Sequence, residues 1–296
     1  MNKLKNISKE LKDEIVNEYT NKPISLIDIG SMFGLHYVTI SKILKEYKIP
    51  IYTKQQLCSM DLDEDYFESI DSEEKAYLLG FFLADGCIFD DPFNGSPKII
   101  FGLTEKDSYI VKIFHNAINS SNKLRVDDRG KNPYITSVNS SYKIAHDLEE
   151  HGISYNKANR RLPVIRNDLM HHLIRGFFDG DGSFGYRLSH PERSTCNSYR
   201  GRVNIVAHKY VLPVLKKLLE TEACIYNCRV SRVNSKMFLQ CIDIDRKENI
   251  LKFYRYIYRN ANIYLHRKKY KFEEFFKLNN MIDCDGTEIT QNNKRF

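Results

Sequence analysis

No run of about 18 uncharged apolar residues occurs in this 296-residue chain, so no membrane-spanning helix is expected. The Lys- and Glu-bearing N-terminus lacks the apolar stretch of a secretory signal. Seven cysteines are present without one Cys-x-x-Cys pair, which argues against a disulfide framework or a zinc knuckle and for a reducing, cytoplasmic setting. Cys224 and Cys228 lie close in sequence, but no second pair matches them. Equally absent are His-Glu-x-x-His, a phosphate-binding loop and a nucleophile elbow. Together these gaps set aside membrane, secreted disulfide-rich, zinc-protease, nucleoside-triphosphatase and serine-hydrolase chemistry.

What is present is enough apolar material for a real core, 42% of the residues. The length suits two domains, or one double-sized domain with an appendage. The net charge of +7 is uneven. Residues 1–54 hold nine basic against six acidic side chains, residues 55–76 one against eight, and residues 77–296 35 against 24. The acidic stretch reads as a linker; the basic body attracts polyanions, nucleic acid first among them.

One phrase occurs twice. Leu78-Leu79-Gly80-Phe81-Phe82-Leu83-Ala84-Asp85-Gly86 returns as Ile174-Arg175-Gly176-Phe177-Phe178-Asp179-Gly180-Asp181-Gly182. Each copy is a helix-like apolar run with small residues four apart, Gly80 and Ala84 or Gly176 and Gly180, which share one helix face. Glycine inside a helix costs roughly 1 kcal/mol against alanine, so close backbone approach is its use here. Packing the two helices on those faces brings Asp85 and Asp181 together at helix ends that are themselves negative, an arrangement that calls for a hard divalent cation. Read singly, either run is a buried helix with a glycine stop; two acid-bearing copies point further.

The doubled motif resembles the LAGLIDADG homing endonucleases, over about residues 73 to 280. The resemblance implies an α+β fold of two pseudo-symmetric αββαββα halves whose sheets form a DNA-binding saddle. It implies a monomer acting as a pseudo-dimer that hydrolyses both strands of a double-stranded target, one strand per half. Asp85 and Asp181, helped by main-chain oxygens at Ala84 and Gly180, would bind magnesium (or manganese). Leu83 departs from the usual first acid of the motif while Asp179 keeps it. The family's lysines near the metal map onto Lys157 and Lys268, and its water-positioning residues onto Glu105 and His208.

The N-terminal residues 1–50 give a separate pointer to DNA. Ser8 to Tyr19 reads as a helix broken by Pro23, Ser25 caps a second helix from Leu26 to Phe33, Gly34 turns the chain, and His36 to Tyr47 forms a third. This is helix-turn-helix spacing. It offers His36, Tyr37, Thr39, Ser41, Lys42 and Lys45 to a groove or its phosphates; a three-helix packing module without DNA contact has the same pattern.

After each Asp-Gly the period turns strand-like. Strands are expected at 99–103, 134–138, 183–188, 200–206, 225–233 and 237–244, with helices at 108–117, 141–151, 210–219 and 248–258. Alternation puts Arg200, Arg202 and Asn204 on one face against Val203 and Ile205, and Arg229 and Ser231 against Cys228, Val230 and Arg232. With Arg187, these outward side chains are the expected DNA contacts. Residues 51–72 form the expected linker, 73–166 and 167–282 the two halves, 92–97 a turn-rich insertion and 283–296 a frayed tail. Without a terminal His-Asn pair or other splicing chemistry, the chain reads as a freestanding enzyme of a mobile element. Two other readings share the fold: an RNA maturase that binds intron RNA, and a DNA-binding regulator that does not cut.

Overall fold

The computed structural model describes residues 7–22, 24–53, 57, 61–90, 96–189, 198–234 and 239–281. Pro23, most of the 92–97 insertion, the 237–238 start of one expected strand and the 283–296 tail lie outside the described residues. The chain divides into two compact units, residues 1–63 with 116–123, and residues 64–115 with 124–296.

In the first unit, α1 (Lys9–Asn21), α2 (Leu26–Met32) and α3 (Tyr37–Glu46) match the expected helices. Ser8 Oγ accepts the Leu11 N–H at 3.2 Å and Ser25 Oγ that of Asp28 at 3.1 Å, each filling a donor left unpaired at a helix start. Gly34, at φ +64°, turns the chain between α2 and α3. Ile15, Tyr19, Ile29, Ile40, Ile43 and Leu44 are buried between the three helices.

The second unit is built twice over. Its first half runs α4 (Glu73–Asp85), β1 (Cys87–Phe89), β2 (Lys98–Thr104), α5 (Ser108–Ala117), β3 (Arg125–Asp127), β4 (Tyr134–Ser140) and α6 (Tyr142–Glu150). The second runs α7 (Asn167–Asp181), β5 (Gly182–Leu188), β6 (Tyr199–His208), α8 (Leu212–Thr221), β7 (Arg229–Asn234), β8 (Leu239–Ile244) and α9 (Lys247–Tyr258), followed by α10 (His266–Leu278). The sheets are antiparallel with matching orders, β1-β2-β4-β3 and β5-β6-β8-β7. The αββαββα duplication is therefore the architecture observed. No described helix is long and apolar enough to cross a membrane.

Several elements differ from the sequence reading. The strand expected from Ile225 begins only at Arg229, because Cys224 and Asn227 take left-handed backbone at φ +51° and +63°. Val230, expected on a covered face, is 42% exposed. The short β1 and β3 and the whole of α10 have no counterpart in the expected elements; α10 buries Phe272, Phe275 and Phe276 along one stripe. Within the acidic stretch, Tyr66, Phe67 and Ile70 are buried, with the Phe67 ring near those of Phe82 and Phe114. That part of the expected linker belongs to the core of the first half.

The two halves meet along α4 and α7. A Cβ on Gly80 would lie 2.0 Å from the Leu173 carbonyl oxygen, and one on Gly176 would lie 1.9 Å from that of Tyr77. Only hydrogen at those positions lets the backbones approach so closely. Charged groups fix the register of the seam. Arg175, fully buried, donates to Glu73 at 2.6 Å and to the carbonyl oxygens of Ile257 and Ile263. The Glu73 carboxylate also accepts both N–H groups of Asn262. The Tyr77 hydroxyl and the Leu265 N–H both donate to Asp179 Oδ2, at 2.9 and 2.8 Å.

Candidate active site

The glycine seam carries Asp85 and Asp181 to the same place. A Cβ added to Gly180 would lie 2.3 Å from Ala84 Cβ and 3.2 Å from Asp85 Oδ2, so α4 and α7 are still packed together where they end. Asp85 is half-buried and Asp181 is open to solvent. Surrounding protein nevertheless strips water from both carboxyls. It raises the Asp85 pKa, opposed by Lys157, Lys268 and Arg160, and pushes Asp181 up to about 6 with help from the Asp85 charge. Gly86 and Gly182, which follow the acids, are extended and not left-handed stops. A Cβ there would lie 2.1 Å from the ring of Phe82 or Phe178, so they make room for an aromatic core.

Lys157 and Lys268 reach the helix ends, but they are not equivalent. Lys157 Nζ donates to the Ala84 carbonyl oxygen at 2.9 Å. Lys268 Nζ donates to the carbonyl oxygens of Phe178, Asp179 and Gly182 at 2.7, 2.7 and 2.6 Å. The side chain that performs the same task in the first half is Arg160, whose Nη1 and Nη2 donate to Phe82, Leu83 and Gly86 at 3.2, 2.8 and 2.8 Å. Each cation sits over the carbonyls at one helix C-terminus, adding a donor at Phe82 and Phe178, whose oxygens also accept the Gly86 and Gly182 N–H groups. The sequence-based pairing of Lys157 with Lys268 is thus corrected to Arg160 with Lys268. Arg160 carried no signal beyond a basic residue near the expected lysine. Burial pushes Lys268 down to about 8, with Asp179 opposing.

Glu105 and His208 are not symmetric partners either. Cys87 pairs with Ile100, and Ser183, its counterpart in the repeat, pairs with Asn204; on that register His208 corresponds to Thr104. Glu105 is exposed, just beyond β2, with its N–H bonded to the Pro133 carbonyl oxygen. His208 ends β6. Tyr134, opposite Thr104, lies close enough to Asp85 for that charge, second to burial, to raise its hydroxyl pKa.

On the outward face of the second sheet, Arg187 stands directly across from Arg200, with Arg202 and Asn204 following along β6. These four side chains line an open trough of about 720 Å³. Asn204 donates to Asp243 at 2.9 Å, and Arg229 pairs with Asp243 from β7. Ser231, expected as a DNA contact, has its hydroxyl 3.0 Å from Cys241 Sγ. Beside Asp181, a pocket of about 370 Å³ is lined by Gly180, Gly182, Ser183, Arg267, Lys268 and Lys271; of its three cations only Lys268 is an expected site residue.

In the first unit, Tyr37, Lys42 and Lys45 are exposed on α3, while Thr39 and Ser41 are half-buried. His36 precedes the helix and caps it, its Nδ1 accepting the Val38 N–H at 3.4 Å.

Among the described residues no cluster of three His, Cys, Asp or Glu side chains forms. The carboxylate pair with nearby main-chain oxygens is nevertheless a hard oxygen donor set of the kind magnesium or manganese takes. One of the expected donors is shared, since the Ala84 oxygen already accepts from Lys157. Chemically, paired carboxylates between basic surfaces suit work on a phosphate ester.

No family model matches the chain, and no curated protein matches it either. Solved structures do. The LAGLIDADG homing endonuclease I-GzeII in complex with its DNA target aligns with TM-score 0.50 at 14% identity, over 70% of this chain and 89% of that one. The meganuclease I-AabMI bound to uncleaved DNA aligns with 0.50 at 13%, over 69% and 89%. I-LtrWI bound to target DNA aligns with 0.50 at 12%, over 74% and 91%. Identity this low speaks to architecture alone, and the architecture is plain: this chain has the fold of the LAGLIDADG homing endonucleases.

Proposed function

We propose that the protein is a site-specific DNA endonuclease that hydrolyses both strands of a duplex with magnesium or manganese, as a cytoplasmic monomer whose two halves each serve one strand. The observation that carries this reading is the pair Asp85 and Asp181, brought side by side at the ends of α4 and α7 by the glycine seam that joins the two halves. DNA-bound neighbours of the same fold support it.

Asp85 and Asp181 would hold the metal through their carboxylate oxygens, with the Gly180 carbonyl close by. Held there, a divalent ion would supply a lowered pKa for an attacking water and an offset for charge on the leaving oxygen. Lys157 stands at the first helix end, where negative charge develops on the transferring phosphate. Lys271 offers the same service beside Asp181, while the Arg267 guanidinium is held by Asp107 at 2.8 Å. Lys268 and Arg160 work behind the carboxylates, holding the helix ends in place. The first unit, with Lys42 and Lys45 on α3, adds a helix-turn-helix contact to the duplex.

The test is incubation of the full chain with a supercoiled plasmid carrying the uninterrupted form of the locus where its gene resides, with and without magnesium. Metal-dependent linear product is the expected result. Retarded but intact plasmid would make the protein a regulator, and binding confined to intron RNA a maturase.

A further inference from the structure

The halves meet a second time beside Asp181, through one ion pair. Arg267, in the first turn of α10, reaches across to Asp107, the residue before α5. Its Nε lies 3.0 Å from each carboxylate oxygen and its Nη2 2.8 Å from Oδ2. Asp107 is buried, while the Arg267 side chain stays 44% exposed. Tyr109 pins the same turn, its hydroxyl donating to the Tyr264 carbonyl oxygen at 2.7 Å and accepting the His266 N–H at 3.0 Å. A guanidinium carries five N–H donors in a fixed plane, enough for two anions on two edges. Asp107 takes the Nε and Nη2 side. Among the described residues Nη1 makes no hydrogen bond, so the end of the fork is left over.

Arg267 also lines the pocket beside Asp181, together with Lys271 one turn further along α10. Lys268, the third cation there, spends its ammonium on three carbonyl oxygens. Like charges four residues apart on a helix repel, and an anion between them reverses that cost. The free fork matches two phosphate oxygens, and its direction is fixed because Asp107 holds the other side. The matching positions of the repeat carry no such pair. By register Val211 stands where Asp107 does, and Asn159, one before Arg160, stands where Arg267 does.

Resting on the reading of a duplex cut beside both aspartates, we propose that Arg267 grips a phosphate of the strand cut at Asp181, aimed by Asp107 of the opposite half. Asp107 is a positioning residue, and one strand alone depends on it. The strand at Asp85 relies on Lys157 instead.

The experiment is single-turnover cleavage, by the full-length protein in magnesium, of a duplex of the uninterrupted locus with a different label on each strand. Arg267→Ala should slow one strand about a hundredfold or more, and Asp107→Asn the same strand about tenfold or more. Lys157→Met should slow the opposite strand. Because Asp107 acts only through Arg267, adding Asp107→Asn to Arg267→Ala should slow cutting no further. Binding in EDTA gives a readout free of chemistry. Losing one phosphate contact in Arg267→Ala should make the plot of log affinity against log salt shallower by about 0.9. Equal slowing of both strands, additive losses in the double variant, or an unchanged salt slope overturns the proposal and leaves the endonuclease reading standing. An unmodified protein that cuts neither strand removes that reading, and the proposal with it.

Discussion

Asp181 and Arg160 mark the two limits of what single residues reveal. Asp181 was legible because its motif recurs and because an acid before a helix-ending glycine has few structural uses. Asp181→Asn should abolish double-strand cleavage while leaving duplex affinity within about threefold, since one exposed carboxylate adds nothing to phosphate binding. Undiminished cutting by the variant would reject the role given to Asp181. Arg160 was not legible, because its acceptors at the helix end lie 74 to 78 residues earlier in the chain and only folding brings them to it. Replacing Arg160 with methionine takes a donor from four main-chain oxygens, of which Phe82 keeps the Gly86 N–H, and should cost about 2 kcal/mol or more in urea denaturation. Arg160→Lys, which copies the ammonium of Lys268, should restore a good part of it. Equal losses in both variants would show that packing, and not carbonyl closure, is what Arg160 supplies.

At the scale of elements, the helices were read well where caps and spacing agree. Ser8 and Ser25 start their helices as expected, and the α4 and α7 small-residue faces meet as their spacing implies. The seam gives a sharp contrast between two glycines of the same half. A methyl at Gly176 collides with backbone that cannot move aside, so Gly176→Ala should destabilise by about 3 kcal/mol or more. A Cβ at Gly185, on the exposed face of β5, meets nothing within 4 Å, so Gly185→Ala should leave thermal stability nearly unchanged. Comparable melting temperatures for the two variants would refute the close-approach account. What the pattern hid were β1 and β3, three residues each, too short to show a period of two. The α10 helix was hidden as well, since its basic surface masks a three-phenylalanine stripe.

On the scale of the whole molecule, the halves are locked by groups from distant parts of the chain. Arg175 is fully buried with Glu73 as its carboxylate partner at 2.6 Å. Glu73→Gln leaves that charge uncompensated and should cost about 3 to 5 kcal/mol, visible as a large drop in the urea midpoint. Nearby, the His171 and His172 rings lie with centroids 3.8 Å apart, tilted at 39°, against Arg259 and Arg175. Burial, reinforced by those arginines, pushes both pKa values down to about 4. Because each ring is harder to protonate folded than unfolded, its contribution is intact above the ordinary value near 6.5 and is lost as pH falls toward 4. Melting temperature should therefore decline between pH 6.5 and 4, and the double change His171→Gln with His172→Gln should flatten that decline; an unaltered slope would place its origin elsewhere. Deleting residues 1–50 should weaken duplex binding or relax site choice yet spare cleavage. Unchanged binding after the deletion would give the first unit another task.

The sequence by itself determined the duplication, the element order and the two aspartates, because these follow from local period, turn chemistry and a repeated phrase. Only the tertiary structure decided which cations serve them and which strand residues correspond between the halves. Those facts depend on register and on acceptors far away in the chain, and a one-residue slip in register sends a side chain to the opposite face of its sheet.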